Sequence, residues 1–335
     1  MTRLDTDSTF FAEAPSDCDG AREILLEARE VPLGGVRAMS VHRALPQRDL
    51  PLVGAWCFLD RFGPQVTRMR VEPHPHIGLQ TVTWPLTGQI RHRDTVGSDT
   101  LVRRGVLNLM TSGHGIAHSE YSVGEGPAPL DALQLWIALP ESRRHGAPAF
   151  ERHENLPAVA VDALDGQAGH ATVVVGQFAG IRSPAQVHTP IVGAELQLAA
   201  GSRVRVPLRA DWEHALVGIE GEVVIDAERP SALGREGPAP TLAPPHLLYL
   251  GTRRDEVVLS ADSDATVFLL GGEPFESEIV MWWNFVARSH DEVVEAREQW
   301  EADSPRFGHV VGHGDERVPA PPMPTVRLVA RRRRL

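Results

Sequence analysis

Two short motifs, forty-two residues apart, carry side chains that bind metals. The first, His-Pro-His, contains His74 and His76, and the second, His-Ser-Glu, contains His118 and Glu120. On a β-strand, side chains two residues apart leave the same face, so each motif presents its two polar side chains together. If the two strands lie side by side, three imidazoles and one carboxylate converge. The spacing therefore predicts a metal site formed by His74, His76, His118 and Glu120.

This set of donors suits a first-row transition metal. Imidazole nitrogen and carboxylate oxygen bind Fe(II), Mn, Ni, Cu, Co and Zn, so the residues alone do not choose among these ions. Four protein ligands around an octahedral ion leave two positions for water, O2 or a chelating substrate. A closed tetrahedral arrangement would instead be a structural zinc site, and the sequence agrees with both.

The remaining histidines fit a metal site less well. His92 stands between two arginines, and we expect it on an outward-facing strand as a surface or hydrogen-bonded residue. His114 lies in a glycine-flanked turn, which favours a turn residue over a ligand. Three histidines of the second half have no His-x-His or His-x-Glu partner: His188, His214 and His246. We therefore expect no metal in the second half of the chain.

The segments around the motifs indicate short β-strands. After residue 79, stretches of about five residues alternate with glycine-containing turns such as Thr87-Gly88 and Val96-Gly97. This rhythm is typical of a sandwich or barrel rather than of βαβ units. The interval from His76 to His118 leaves room for several antiparallel strands before the chain returns beside its start, as in a jelly roll.

The same rhythm divides the chain into five parts. Residues 1–24 are assigned to an N-terminal arm, of which residues 1–20 are polar and acidic and are expected to be loosely ordered. The first strands are expected within residues 22–42, and a metal-binding domain over residues 25–140. Residues 141–170 are charged and lack periodicity, which favours a linker. Residues 171–310 resume the strands and end in a helix. Residues 311–335 form a Pro- and Arg-rich tail that we expect to be solvated.

The second domain repeats part of the first. Residues 216–222 resemble residues 84–89, and residues 266–274 resemble residues 133–140, which indicates two similar barrels in one chain. The best helix is residues 289–301, where a serine is the candidate N-cap and acidic residues fill the first turn.

Composition argues against several classes of protein. The 335 residues carry a formal net charge of −11, whereas a direct nucleic-acid binder needs a surplus of Lys and Arg on one face. Cys18 and Cys57 are too few for a disulfide framework, so a reducing cytoplasm is the expected location. No apolar run reaches membrane-spanning length, so we expect no membrane contact. No Ser-His-Asp arrangement or phosphate-binding glycine loop is recognisable.

The motifs together resemble the pirin family of the bicupin superfamily. The residues that carry the resemblance are His74-Pro75-His76 with Gly78, Thr81-Val82-Thr83, Gly88, His92-Arg93-Asp94, Gly97, Met110-Thr111-Ser112-Gly113 and Gly115-Ile116-Ala117-His118-Ser119-Glu120. Leu270-Gly271-Gly272-Glu273-Pro274 and Arg306-Phe307-Gly308 also resemble pirin. The likeness extends over most of residues 25–308.

This resemblance implies an all-β fold of two cupin-type β-barrels, each a jelly roll, packed side by side with a C-terminal helix. It implies a metal in the first barrel only, with His74, His76, His118 and Glu120 as ligands. Pirins usually hold iron, so Fe(II) is the expected ion, with Zn, Mn, Ni, Cu or Co as alternatives. Several pirins are quercetin 2,3-dioxygenases. Others are redox-sensitive cofactors of transcription regulators or bind metabolic enzymes.

The sequence also departs from the family. Ile77, Leu79 and Gln80 stand where pirins commonly have Arg, an aromatic residue and Glu, and His114 stands where Arg is common. Because Gln80 is uncharged, we expect the site to lack one carboxylate near the metal and its substrate preference to differ.

The leading hypothesis is an iron-dependent dioxygenase that cleaves flavonols such as quercetin with O2. Glu120 would serve as general base for the substrate hydroxyl. The alternative is a non-catalytic, iron-dependent redox sensor that binds a regulatory or metabolic protein. A third hypothesis is a stable barrel whose metal is structural.

Overall fold

The computed structural model describes four parts of the chain: residues 20–32, 39–226, 239–331 and 333–334. Most of the arm expected at residues 1–24 therefore lies outside the described residues. The sequence Pro32-Leu33-Gly34-Gly35 predicts a hairpin turn, and most of it also lies outside the described residues. Within the described parts, no helix is both long enough and apolar enough to cross a membrane.

The described residues are almost entirely β-structure, which confirms the predicted fold class. The strands of the first half are β1 (Ala21–Leu26), β2 (Arg29–Pro32), β3 (Ser40–Leu45), β4 (Trp56–Thr67), β5 (Arg70–His76), β6 (Leu79–Thr87), β7 (Gln89–Asp94), β8 (Asp99–Arg103), β9 (Leu107–Thr111), β10 (Ile116–Ser122), β11 (Ala128–Ala138) and β12 (Ala149–His153).

The strands of the second half are β13 (Ala158–Asp165), β14 (Gly169–Phe178), β15 (Ile181–Arg182), β16 (Ile191–Leu198), β17 (Ser202–Pro207), β18 (Glu213–Glu220), β19 (Val223–Asp226), β20 (Thr241–Leu242), β21 (Leu247–Gly251), β22 (Glu256–Ala261), β23 (Ala265–Gly272), β24 (Val280–Trp282) and β25 (Phe285–Ala287). They are followed by the one α-helix of the described residues, α1 (His290–Glu301).

The first barrel contains two sheets in the described part of the chain. The smaller, 4-stranded sheet has the order β5-β10-β7-β8, and the larger, 7-stranded sheet has the order β12-β9-β6-β11-β4-β3-β2. The sheets share a core in which Ile90 and Val102 of the smaller sheet pack with Val41, Phe62 and Ala132 of the larger one. Because consecutive strands such as β5 and β6 lie in different sheets, the chain crosses between the layers as in a jelly roll.

The second barrel is built on a sheet that has 12 strands among the described residues, in the order β1-β21-β18-β23-β16-β14-β13-β17-β22-β19-β20, with β15 paired to β14. Its interior is a cluster of buried apolar side chains, which includes Leu216, Leu248, Val257 and Leu269. A separate pair, β24 and β25, leads into α1.

The two barrels pack against each other through the outer faces of their sheets. One core cluster contains buried side chains from both barrels. Two tryptophans of the first barrel also donate hydrogen bonds across this interface. Trp56 Nε1 lies 3.1 Å from the carbonyl oxygen of Val192, and Trp84 Nε1 lies 2.8 Å from Oε2 of Glu195. The side-by-side arrangement implied by the resemblance is therefore observed.

The first strand does not belong to the barrel that follows it in sequence. β1 pairs antiparallel with β21, placing Ile24 opposite Tyr249, so it joins the sheet of the second barrel. Ile24 and Leu26 pack on the shared core. The strands predicted from Arg22 onwards therefore do begin here, whereas the arm boundary predicted at residue 24 falls inside β1. The partner strand lies at the far end of the sequence, and the local pattern carries no sign of it.

The segment at residues 141–170 is also not a plain linker. It contains β12, which extends the larger sheet beside β9, and β13, which pairs with β14 and β17. Most side chains of β13 remain exposed, so the strand lacks the apolar alternation by which strands are recognised. The domain boundaries at 25–140 and 171–310 remain a prediction.

The end of the chain is packed rather than solvated where it is described. Helix α1 begins after the N-cap Ser289, as predicted, and Trp300 Nε1 donates to the carbonyl oxygen of Val318 at 2.9 Å. Leu328 is buried in the same cluster as the helix. Arg333 donates to the buried carboxylate of Glu213. A proline-rich segment needs no strand partner, so it can lie along the helix without any periodic pattern in its sequence.

Candidate metal centre

The two predicted motifs lie on neighbouring strands. β5 and β10 are antiparallel, and His74 is directly opposite His118. All four predicted ligands are buried: His74, His76, His118 and Glu120. One ligand atom from each of the three histidines lies within 4.8 Å of the other two. Glu120 belongs to a second group of this kind, which it forms with His118 and His92. The two groups overlap at His118.

The spacing of the imidazole nitrogens fits a metal ion. His76 Nε2 and His118 Nε2 face each other at 3.1 Å. Metal–nitrogen bonds of about 2.1 Å that meet at a right angle place two nitrogens about 3.0 Å apart. Two lone pairs that face each other without a bridging proton or cation repel. The donor set and its spacing therefore fit a first-row ion bound by the Nε2 atoms.

Hydrogen bonds on the opposite side of two rings leave Nε2 available. His74 Nδ1 lies 2.9 Å from the carbonyl oxygen of Glu72, and His76 Nδ1 lies 3.1 Å from that of Asn284. Because a carbonyl oxygen only accepts, each Nδ1 carries the proton and each Nε2 has a free lone pair. Such contacts are the usual means by which proteins orient histidine ligands.

Burial keeps the histidines in the form that binds metals. Desolvation lowers the pKa of His74 to about 4. Desolvation, together with the neighbouring imidazoles, also lowers the pKa of His76 and His118 well below the ordinary value. At neutral pH the three rings are therefore uncharged, and a neutral imidazole is the form that coordinates a cation.

Glu120 sits in a polar pocket formed with the larger sheet. Thr83 Oγ1 lies 3.3 Å from Glu120 Oε1 and 3.0 Å from Gln134 Oε1. Burial raises the pKa of Glu120, although His92 and the hydrogen bond from Thr83 oppose this rise. A cation beside this carboxylate would favour its ionised form.

His92 was misjudged as facing outwards. It is 2% exposed, and its Nε2 lies 3.0 Å from Oδ2 of Asp94 while its Nδ1 lies 3.3 Å from Nδ1 of His118. The expectation of a hydrogen-bonded residue is correct, but the surface position is wrong because β7 lies beside β10 within the smaller sheet. The flanking arginines drew attention away from the His-x-Asp spacing of His92 and Asp94, which equals the spacing within the two motifs predicted to bind a metal.

Two residues thought to affect the site lie away from it. Gln80 Nε2 donates to Thr111 Oγ1 at 2.8 Å and to the carbonyl oxygen of Gln186 at 3.0 Å. Gln186 follows the first strands of the second barrel, so Gln80 faces the interface between the barrels. His114 lies in an exposed turn, as expected, with its Nδ1 3.0 Å from the carbonyl oxygen of Gly146. The expected loss of a carboxylate near the metal at position 80 is therefore not supported by the geometry.

The inner face of the larger sheet carries two rows of side chains opposite the histidines. Strand register aligns one row that is mainly aromatic and apolar: Phe58, Trp136, Thr81, Met110 and Phe150. It aligns a second, polar row: Asp60, Gln134, Thr83 and Asn108. The Trp136 ring meets His76 edge to face at 5.1 Å and stacks on Phe58 at 4.0 Å. The site thus combines polar groups with aromatic surface.

Two buried side chains in these rows have polar atoms without a hydrogen-bond partner among the described residues. The unpartnered atoms are the amide nitrogen and the amide oxygen of Asn108 and Nε1 of Trp136. An unpaired buried polar group costs about 1–3 kcal/mol. Such groups at the inner face of a barrel are suited to pair with oxygen atoms of a bound molecule.

A further cluster of metal-binding side chains is already satisfied by hydrogen bonds. Glu72, His313 and Glu316 lie within 4.8 Å of one another. However, His313 Nε2 lies 2.9 Å from Ser119 Oγ and its Nδ1 lies 3.0 Å from the hydroxyl of Tyr121. Both ring nitrogens are therefore engaged, and this cluster joins the C-terminal segment to β10.

Family comparisons agree with this geometry. The family model described as Pirin matches residues 38–137, and the model described as Pirin C-terminal cupin domain matches residues 193–308. The chain belongs to the pirin family. The Pirin match includes every residue of the two motifs that are predicted to bind a metal.

Individual pirins are similar over most of the chain. A Pseudomonas aeruginosa protein named "Putative quercetin 2,3-dioxygenase PA1205" is 39% identical over 315 residues, which cover 92% of this chain and 94% of the relative. A human protein named Pirin is 28% identical over 227 residues, which cover 67% of this chain and 73% of the relative.

Solved structures share the fold. A quercetin 2,3-dioxygenase from Acinetobacter baumannii has a TM-score of 0.81 at 36% identity, covering 93% of this chain and 98% of that chain. The bacterial pirin YhhW from Escherichia coli, in complex with nickel(II), has a TM-score of 0.56 at 18% identity and covers 76% of this chain and 100% of that chain. These likenesses extend across both barrels.

Proposed function

We propose that this pirin is an iron-dependent dioxygenase of the quercetin 2,3-dioxygenase type, which opens the central ring of flavonols with O2 and releases CO. The observation that carries the proposal is the convergence of three neutral imidazoles beside a buried carboxylate, within a barrel that also presents aromatic side chains. The names of the Pseudomonas and Acinetobacter relatives support the same reaction class.

Four residues are proposed to hold the ion: His74, His76, His118 and Glu120. Fe(II) is the proposed ion, and the same donors accept Zn, Mn, Ni, Cu or Co. When bound, the ion would supply Lewis acidity and a common point for substrate and O2. The protein contributes neutral nitrogen donors in fixed orientations and excludes bulk water by burying all four side chains.

Glu120 is proposed to accept the proton of the flavonol 3-hydroxyl. Its buried carboxylate lies beside His118, where an ionised glutamate can act as general base for a substrate hydroxyl. A carboxylate that binds a metal through one oxygen keeps the second oxygen for the proton. Thr83 Oγ1, at 3.3 Å from Oε1, holds the carboxylate in place.

The substrate is proposed to lie against the inner face of the larger sheet. Trp136 is fixed between Phe58 and His76 and offers an aromatic surface close to the metal ligands. Asn108 supplies one hydrogen-bond donor and one acceptor that lack protein partners. A planar molecule with several ring oxygens and hydroxyls matches these groups, and flavonols are of this class.

Aerobic turnover of quercetin tests the proposal. Protein loaded with Fe(II) is mixed with quercetin in air while its visible band and the O2 concentration are recorded. We expect both to fall together, and Glu120→Gln to lower the rate by a factor on the order of 10²–10⁴, as for loss of a general base. Zinc-loaded protein is the matched control. An unchanged spectrum beside an active dioxygenase contradicts the proposal.

The burial of the four proposed ligands favours one alternative. A buried iron can change its oxidation state without binding a substrate, and the protein would then be an iron-dependent redox sensor with a regulatory or metabolic protein as its partner. Binding of one partner that differs between Fe(II) and Fe(III) protein, without turnover of flavonols, supports this function. Partner binding that is unchanged by the oxidation state of the iron and by removal of the metal rejects the sensor function.

A further inference from the structure

We propose that His92 and Asp94 are positioning residues, which hold His118 in the orientation and tautomer required for metal binding. This inference rests on the proposed metal site. His92 and Asp94 lie on β7, directly beside β10, and Asp94 is opposite His118 in the strand register. Neither residue acts as a ligand in this proposal.

The three side chains form a continuous chain of contacts. Asp94 Oδ2 lies 3.0 Å from His92 Nε2, and His92 Nδ1 lies 3.3 Å from His118 Nδ1. The other oxygen of Asp94 accepts from the backbone N–H groups of Val96 at 3.0 Å and Ser98 at 2.9 Å. The turn between β7 and β8 thus fixes the carboxylate, and the carboxylate fixes the imidazole of His92.

The positions of the protons follow from this chain of contacts. A carboxylate accepts hydrogen bonds, so the proton of a neutral His92 lies on Nε2 and its Nδ1 carries a lone pair. His118 Nδ1 must then carry a proton and donate a hydrogen bond to His92 Nδ1. As a consequence His118 Nε2 has a free lone pair, which faces His76 Nε2 at 3.1 Å. We call this chain of hydrogen bonds, from Asp94 through His92 to His118, the relay. The relay selects the tautomer of His118 that can bind a metal through Nε2.

The comparison with the other two histidines explains why a relay is needed. His74 and His76 each direct Nδ1 to a backbone carbonyl oxygen, of Glu72 and Asn284 respectively. His118 directs its Nδ1 to a second imidazole, which can accept or donate according to its own tautomer. A neighbour that only accepts hydrogen bonds makes that imidazole a dependable acceptor, and the carboxylate of Asp94 fills this role.

Packing holds the relay in place. The ring of Phe150, on β12, stacks on His92 with centroids 4.6 Å apart and planes 21° from parallel. His92 is thereby confined between Phe150 and His118. The segment that the sequence indicated as a linker therefore supports a residue beside the metal centre.

The geometry also argues against His92 as a ligand. Its ligand atom does lie within 4.8 Å of those of His118 and Glu120. However, Asp94 engages its Nε2 and His118 engages its Nδ1, so neither nitrogen keeps a lone pair for a cation.

Two substitutions distinguish a positioning role of His92 from a role as metal ligand. In Asp94→Asn, the amide oxygen keeps the two bonds from the turn and the amide nitrogen faces His92 Nε2 as a donor. This reverses every hydrogen bond of the relay and places a proton on His118 Nε2. In His92→Phe, the stacking on Phe150 remains but the acceptor for His118 is lost. The matched control is Glu151→Gln, because Glu151 Oε2 pairs with His153 Nε2 at 2.9 Å, outside the proposed centre.

Affinity for Co(II), measured by competition with a chelating dye, provides the first readout. We expect a 10–100-fold higher Kd in both relay variants and an altered visible spectrum of bound Co(II), as for other residues that orient ligands. Glu151→Gln should match the wild type, and thermal melting of the metal-free proteins should show that the variants fold. Wild-type Kd and spectrum in both relay variants overturn the proposal. Loss of binding in His92→Phe with unchanged binding in Asp94→Asn also overturns it, since His92 would then be a ligand.

A second readout uses the unmodified, metal-free protein. Proton–nitrogen NMR correlations of ¹⁵N-histidine should place the proton of His118 on Nδ1 and that of His92 on Nε2. The opposite tautomers overturn the relay even if the wild type binds no metal. If the wild type binds no Co(II) or Fe(II) but shows the expected tautomers, the proposed function fails while the relay stands.

Discussion

Replacing His214 with leucine is expected to make the stability of the metal-free protein less sensitive to acid. His214 lies at the start of β18 in the second barrel, where it is 2% exposed. Burial lowers the pKa of its imidazole from 6.5 to about 4, although the carboxylate of Asp211 opposes the shift. The folded state therefore holds this side chain neutral in a pH range where the unfolded chain protonates it.

The expected loss of stability follows from the two pKa values of His214, which are 6.5 in the unfolded chain and about 4 in the folded protein. Below pH 6.5 the His214 imidazole is protonated in the unfolded chain but stays neutral in the folded protein, so the free energy of unfolding falls as the pH falls. The loss is complete once the pH is below about 4. At about 1.36 kcal/mol per pH unit, the interval corresponds to about 3 kcal/mol, of which about 2.5 kcal/mol is lost by pH 4.5. Above pH 6.5 this contribution is fully retained.

Urea unfolding of the metal-free wild type and His214→Leu at pH 7.5 and pH 4.5 measures the effect. The wild type should lose about 2.5 kcal/mol more between the two pH values than the variant does. The matched control is His170→Leu on β14, because it also replaces a histidine of the second barrel, but one whose side chain is exposed rather than buried. Equal losses in the wild type and His214→Leu would refute the argument that burial keeps this imidazole neutral.

Three other predictions concern the site and the packing around it. His76→Ala should raise the Kd for Fe(II) by at least about 100-fold in a chelator competition, because it removes one of three converging nitrogens. Arg333→Ala should lower the free energy of unfolding by about 3–5 kcal/mol, because it leaves Glu213 buried without its cation, and a urea midpoint near that of the wild type would contradict this. Gly78→Ala should destabilise the fold by more than about 1 kcal/mol in thermal melts, because Gly78 has a φ of +68° and a Cβ there would lie 2.1 Å from the carbonyl oxygen of Val286.

The sequence predicted those features that depend on local periodicity. The spacing of His74 and His76, and of His118 and Glu120, predicted that each pair shares a face of a strand, and the structure pairs the two strands directly. Ser289 predicted the start of α1 because serine is a common N-cap residue. In the structure its side chain accepts from the backbone N–H of Glu292.

Features that depend on distant partners were missed. β1 pairs with β21, and β13 pairs with β14 and β17, although neither β1 nor β13 has a regular apolar alternation. His92 was placed on the surface because charged neighbours surround it in sequence, whereas its burial results from the position of β7 beside β10. Such residues are found only when the pairing of strands is known.

The two barrels differ in the chemistry of their interiors. The first contains imidazoles, carboxylates and unpartnered amide atoms, whereas the described interior of the second is packed with Val and Leu side chains. A polar interior costs stability unless its groups are paired. Both barrels supply apolar side chains to the shared core, so the difference between them lies in the more polar interior of the first barrel.

The most direct test of the metal centre is anomalous diffraction at the iron edge from crystals grown with Fe(II). We predict one strong peak at the point where the Nε2 atoms of His74, His76 and His118 converge, within about 2.0–2.3 Å of each nitrogen and of one Glu120 oxygen. Density elsewhere, or none at this point in protein shown to contain iron, would contradict the account.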